Sequence, residues 1–245
     1  MSESGDSLAR VAVTPEVIPE NTVRVLDHGF VRLDDSMASD LSVVNGARVS
    51  FARHKQEMDD TDAGLIRFLM RERHASPFEH AVFRFHVRCP IFVAREWMRH
   101  RWSSFNEFSL RYAVASNDFY VPAAEDVRTQ VGKPGAYSFE PVSEELAEQT
   151  QEELTAVYEQ AFAAYERLVD AGIAREVARC ALPVGAYTEF YWTVNARSLM
   201  NFVSLRNAEM AQREIRYYAE AVEGFFAERM PVTYQAFVAN DRVAP

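Results

Sequence analysis

Apolar and polar positions alternate along several stretches of this chain with the two-residue period of a half-buried strand. Between His80 and Cys89, Phe83, Phe85 and Val87 fall on one face, and Val82, Arg84, His86 and Arg88 on the other. Residues 23 to 34 alternate around Asp27-His28-Gly29, the composition of a hairpin or bent strand pair. Residues 188 to 194 (TEFYWTV) carry the β-branched and aromatic content of a third strand region.

Helical spacing fills most of the remainder. Asp40 is placed to cap a helix through Ala47, ending near Arg48-Val49-Ser50. Residues 62 to 73 set Leu65, Phe68 and Leu69 on one stripe, with Asp62 near the start and arginines near the end, an order that complements the helix dipole. The following His74-Ala75-Ser76-Pro77 breaks that helix, and Pro90 marks where another begins. Ser143 opens the longest helix, reaching about Asp170. Its stripe of Leu154, Tyr158, Ala161, Phe162, Tyr165 and Val169 reads as core or subunit contact. The run REVARCALP makes a short helix stopped by Pro183, and Asn195 caps ARSLMNFVSLRN, with Leu199, Phe202 and Val203 facing the core. Residues 211 to 227 and 230 to 239 close the set. Residues 113 to 140 read as connector with one short strand at Phe119-Tyr120-Val121. Residues 1 to 22 show no sustained apolar period and read as a flexible extension, and 241 to 245 as a tail. The economical description is one compact α+β domain over 23 to 240.

Composition narrows the function. At 245 residues and 48% apolar content the chain can build a sizeable core. A formal net charge of -10 argues against a nucleic-acid binder, which needs a basic face to release counterions. Two cysteines without a C-x-x-C pair fit reducing surroundings. The start lacks a secretory pattern and no run of eighteen apolar residues could cross a bilayer, so the expectation is a soluble, cytoplasmic protein with no membrane partner. There is no G-x-G-x-x-G, no phosphate loop, no H-E-x-x-H and no metal-spaced Cys/His cluster, so no metal is expected.

Against that acidic background one stretch stands out, Arg99 to Tyr112 (RHRWSSFNEFSLRY). Its three arginines offer rigid donor forks suited to phosphate, and its serines can complete an anion's shell. Asn106 and Glu107 add acceptors, which a nucleobase or fused ring needs and a bare phosphate does not. The expected layout puts Arg99 and Arg101 on the last turn of a helix and the rest in a loop around the ligand.

Read as R-H-R-x-x-S-x-N-E-x-S-x-R-Y, this stretch resembles the signature of the flavin-dependent thymidylate synthases at every specified position. Asp40 to Phe51 (DLSVVNGARVSF), Glu72 to Arg101 (with HASPFEH and PIFVAREWMRHR) and Arg175 to Arg206 are similar to the same family. The resemblance implies a mostly antiparallel sheet packed by long helices. It implies conversion of dUMP to dTMP, with 5,10-methylenetetrahydrofolate as carbon donor, FAD as redox carrier and NADPH as reductant. It further implies a homotetramer with sites shared between subunits.

Carried over by position, His74, Ser76, Arg99, His100, Arg101, Glu107, Asn195, Ala196, Arg197 and Asn201 would contact FAD. Glu96, Arg99, Glu107, Phe108, Ser109, Leu110, Arg111, Arg179 and Arg206 would contact dUMP. Family members often carry Thr at the position of Ser76 and Gln at that of Glu96; the second exchange turns an amide into a carboxylate. Arg206 is the expected catalytic group, because a fixed guanidinium beside N3 and O4 stabilises the charge that makes C5 nucleophilic. Cys89 and Cys180 are expected to be structurally buried rather than activated thiolates, and Ser109 to bind substrate rather than attack it. Two other classes compete: a non-catalytic nucleotide or flavin sensor, opposed by Arg206 and the complete signature, and an Arg-rich nucleic-acid binder, opposed by the net charge.

Overall fold

The computed structural model describes residues 19–133 and 136–245. Most of the expected extension, residues 1 to 18, therefore lies outside the described residues. The chain enters on a hairpin of β1 (Thr22–Val25) and β2 (Gly29–Ser36). Gly29 is required there, since a Cβ would lie 1.9 Å from the Tyr218 hydroxyl and 2.6 Å from the Val25 carbonyl oxygen. β3 (Val82–Pro90) pairs with β2, β7 (Tyr187–Asn195) with β3, and β4 (Ser103–Glu107) with β7. The sheet order β1-β2-β3-β7-β4 is antiparallel throughout.

The alternation in β3 is realised as two unlike faces. Phe83, Phe85, Val87 and Cys89 are fully buried, with Phe190, Trp192 and Val194 of β7 beside them. α3 (Ile91–Trp97), α6 (Ala196–Arg206) and α7 (Arg213–Arg229) cover this face. Trp97 packs on Trp192 and Phe202 at ring distances of 5.2 and 4.7 Å, so both tryptophans are packing residues. The opposite face is polar. Arg32 donates to His86 Nδ1 at 2.9 Å and His86 Nε2 donates to Glu189 at 3.0 Å, so this histidine is fixed as one tautomer on the strand face.

Three expectations need correction. Ser39, not Asp40, caps α1 (Asp40–Arg48). Asp40 is buried and instead accepts from the N–H groups of Val232 and Thr233 at 2.9 and 2.8 Å and from the Thr233 hydroxyl at 2.6 Å. It thereby satisfies the start of α8 (Pro231–Ala239), whose own sequence offers no side-chain cap. Within 113 to 140 the chain forms a hairpin of β5 (Arg128–Lys133) and β6 (Ala136–Pro141) rather than plain connector, and Phe119 makes a single bridge to Ala186. The hairpin is exposed on both faces, so no apolar period announces it; Arg128 packs over Phe139 at 5.5 Å. Finally, α3 ends at Trp97, so Arg99 and Arg101 follow the helix rather than sit on its last turn, and the signature runs into β4, not a loop, because its backbone completes the edge of the sheet against β7.

α2 (Asp60–Arg71) starts on an Asp59 cap with Asp62 closing a capping box. α4 (Glu144–Asp170) follows its Ser143 cap, and α5 (Arg175–Ala178) precedes a short turn before Pro183. Only Ala147 and Tyr165 of α4 are buried, so its aromatic stripe is half-buried at the flank of the domain. No helix among the described residues is long and apolar enough to cross a membrane.

Candidate active site

Segments distant in sequence meet at one end of the sheet. Asn195 ends β7 and caps α6, its side-chain oxygen accepting from the Ser198 N–H at 2.9 Å. The helical repeat then places Arg197 and Asn201 one turn apart on one side. β4 begins alongside, because Ser103 pairs with Val194. The Ser103 hydroxyl donates to the His100 carbonyl at 2.7 Å and holds the turn between α3 and β4. His100, Ser103, Arg197 and Asn201 thus line one cleft of about 240 Å³, flanked by Ala244 and Pro245. Arg197 Nε donates to the Pro245 carbonyl oxygen at 3.0 Å and lies 3.8 Å from Glu79.

Beneath the cleft wall, Arg206 at the end of α6 is held by the residues just before the signature strand. Its Nε donates to His100 Nε2 at 3.0 Å, Nη1 to Glu96 Oε2 at 3.1 Å, and Nη2 to the Glu96 carbonyl oxygen at 3.1 Å. His100 therefore accepts through Nε2 and is neutral. Burial, reinforced by Arg206 and Arg99, brings its pKa down to about 4. Burial pushes the Glu96 carboxyl up while Arg206 pulls it the other way. The result is a guanidinium fixed in plane by three acceptors.

At the other end of β4 lies the second group of expected residues. Glu107 accepts from Thr188 Oγ1 at 2.8 Å, and the Phe108 N–H donates to the Glu189 carbonyl at 2.8 Å. Phe108 and Leu110 line a separate pocket of about 180 Å³ with Arg88 and Tyr187. Ser109 Oγ accepts from the Arg111 N–H at 3.3 Å, a turn contact, and no base is bonded to it among the described residues. Arg111 is paired with exposed Glu176 at 3.2 Å. From Ser103 to Glu107 a strand advances about 13 Å, so one chain keeps these residues apart from His100.

The remaining expected residues scatter. Arg99, Arg101 and Arg179 are exposed. His74 and Ser76 are exposed at the entry to the short turn Ser76–His80, with His74 edge-on to Phe68. Ala196 is fully buried, and its N–H donates to the Ala81 carbonyl at 2.8 Å, which ties that turn to the start of α6. Glu79 was not expected: it lies in HASPFEH, but no spacing rule connects it to Arg197. Cys89 is buried, and burial pushes its thiol well up, so it offers no thiolate. Cys180, expected to be buried, is exposed, because the short turn after α5 has one face in solvent.

The site therefore joins a fixed cation, a neutral imidazole and a cleft with donor and amide side chains, a set that suits an anionic, hydrogen-bonding ring system. A family model described as thymidylate synthase complementing protein matches residues 32–232. A flavin-dependent thymidylate synthase of Thermotoga neapolitana is 46% identical over 217 residues, covering 88% of this chain and 94% of its own. That of Thermus thermophilus is 45% identical over 219 residues, covering 88% and 78%. The chain belongs to the flavin-dependent thymidylate synthase family. The family match takes in β4, β7 and α6, which build the cleft, and leaves out the Ala244–Pro245 flank. Among solved structures, the UMP/dUMP methylase PolB of Streptomyces cacaoi bound with 5-Br UMP is 47% identical with a TM-score of 0.82, covering 91% of this chain and 99% of its own. Its complex with 5-Br dUMP gives the same TM-score and identity.

Proposed function

We propose that this chain methylates dUMP to dTMP, with 5,10-methylenetetrahydrofolate as carbon donor, FAD as redox carrier and NADPH as reductant. The observation that carries the reading is Arg206, a guanidinium held by hydrogen bonds to His100 and to the carboxylate and carbonyl of Glu96. Electron density reaches C5 of uracil as negative charge builds through N3 and O4. A donor already aimed at that edge stabilises the charge without reorganising. Neutral His100 serves as an acceptor there and adds no competing charge. Cys89 is buried and burial pushes its thiol well up, so it is not the group that attacks the ring.

The residues fit a flavin. Arg197 supplies a fork for phosphate, while Asn201 and Ser103 offer donors and acceptors for a ring. When bound, the flavin supplies reducing equivalents passed on from NADPH. The cleft of about 240 Å³ falls below the roughly 300–1,000 Å³ of ligand pockets, so one chain encloses only part of a dinucleotide. The separation of Phe108–Arg111 from His100 points the same way. We propose a homotetramer in which a second copy brings its own loop to each cleft; exposed Trp102, Tyr112 and Leu205 supply apolar surface for that contact.

The test is spectroscopic. The purified protein should bind FAD and be yellow, NADPH should bleach it anaerobically, and dUMP should change the bleaching rate. Failure to take up added FAD would contradict the reading. A second reading, in which UMP is methylated as well, is favoured by the 47% identical methylase solved with 5-Br UMP; parallel assays with UMP decide it.

A further inference from the structure

Glu223 of α7 is buried and takes no part in the chemistry above, yet both of its carboxylate oxygens are engaged. Asn207 Nδ2 donates to Oε2 at 2.6 Å and the Tyr234 hydroxyl to Oε1 at 3.0 Å. Arg242 sets its two terminal nitrogens on the same pair, Nη1 on Oε2 at 2.9 Å and Nη2 on Oε1 at 2.7 Å. Arg242 belongs to residues 240–245, which follow α8 and turn back over α6. Asp241 and Arg242 make that turn with φ of 54° and 57°. Residues other than glycine take such angles at a cost, and keep them where surrounding contacts impose them. Here the Arg242 N–H donates to the Phe237 carbonyl at 3.0 Å, and the Arg242 carbonyl accepts from the Ser204 hydroxyl of α6.

The same segment meets α6 a second time, about two turns nearer the helix start. Pro245 is buried there, and its carbonyl oxygen accepts from Arg197 Nε at 3.0 Å. Ala244 and Pro245 also form a wall of the cleft that Arg197 lines. Glu79 lies 3.8 Å from that Nε, but both side chains are more than a third exposed, so this ion pair holds Arg197 weakly. The two terminal nitrogens of Arg197 donate to no described residue. A guanidinium tethered through Nε keeps its outer fork for a second partner, and that fork matches phosphate oxygens two at a time. We propose that residues 240–245 are a positioning strap for the cofactor cleft: latched to Glu223 through Arg242, they hold Arg197 by Nε and leave its terminal nitrogens to the phosphates of the flavin dinucleotide.

This rests on the reading of the cleft as the FAD site and adds to it the residues that orient its cation. A half-exposed arginine has many rotamers, and a ligand that immobilises it loses affinity in doing so. The strap removes part of that cost by fixing the guanidinium plane beforehand. Glu223 touches neither Arg197 nor the cleft. It acts through Arg242 and the strap, so it is a positioning residue, with Ser204 as the second anchor on α6.

The experiment titrates FAD, and riboflavin as a probe without phosphates, into the full chain, a variant lacking Val243, Ala244 and Pro245, R242A, R197A, and R197A combined with the deletion. Freeing one rotamer-rich side chain corresponds to about a 3- to 10-fold loss of affinity. The deletion should therefore weaken FAD by about that factor and leave riboflavin within about twofold, and R242A should change FAD in the same direction. In the R197A background the deletion should change FAD affinity by less than about twofold, because the strap then has nothing to orient. A deletion that leaves FAD affinity unchanged, or whose cost persists undiminished in R197A, would overturn the proposal. Tighter FAD binding on deletion would also overturn it, since the strap would then compete with the phosphates. Parent protein that takes up no FAD would instead contradict the underlying reading of the cleft.

Discussion

Replacing Arg206 with alanine removes three hydrogen bonds at once, to His100, the Glu96 carboxylate and the Glu96 carbonyl. The carboxylate bond is charge-assisted, yet both partners touch solvent, which discounts it. The net cost in stability is about 1–2 kcal/mol. For a domain of this size that lowers Tm by roughly 2–8 °C. Glu96 would lose its counterion, so its carboxyl, already pushed up by burial, would rise further. The chemical step should fall far more, by about 10²–10³, as expected when a preorganised donor to developing negative charge is deleted. The assay is dTMP formation under saturating FAD, NADPH and folate, alongside thermal unfolding and flavin absorbance. A folded, flavin-binding R206A protein that turns over within threefold of the parent rate would refute the role given to Arg206.

Acidification should act through His100. Its pKa is lowered to about 4 in the folded protein against an unperturbed value of about 6.5. Its contribution to stability is thus present above about pH 6.5 and lost as pH falls toward 4. Thermal melts across that window should show a loss that H100Q attenuates; identical profiles would contradict the neutral assignment. Asp40→Ala should cost about 1–2 kcal/mol, because it strips the cap from α8 and leaves buried N–H groups unsatisfied. A melt unchanged from the parent would show that α8 does not depend on that contact. Arg197→Ala should weaken FAD binding by about tenfold or more while leaving the melt of the flavin-free protein within about 2 °C, as suits a cation 40% exposed; flavin titration checks it.

The sequence carries the scaffold wherever periodicity has a physical counterpart in burial. Phe83, Phe85 and Val87 alternate because one face of β3 lies against helices, and Asn195 caps α6 through purely local geometry. The β5–β6 hairpin escaped because neither face is buried, and so no period is imposed on it. Asp40 misled because its acceptor capacity serves a helix start nearly two hundred residues away, a tertiary use that outcompetes the local cap supplied by Ser39. In the candidate site, local rules bring Arg197 and Asn201 together. The Glu96–Arg206–His100 cluster and the approach of Glu79 to Arg197 depend on how α3, α6 and the Ser76–His80 turn dock. The resemblance supplied Glu96, His100, Arg197 and Arg206 but not Glu79; their mutual contacts come from the fold.

The most direct measurement is product analysis with the flavin-loaded protein supplied with dUMP, 5,10-methylenetetrahydrofolate and NADPH. The account predicts dTMP in amounts matching NADPH oxidised, and none when any one of the three is withheld. Tight binding of flavin and dUMP without any dTMP would contradict it and identify the pocket as a sensor.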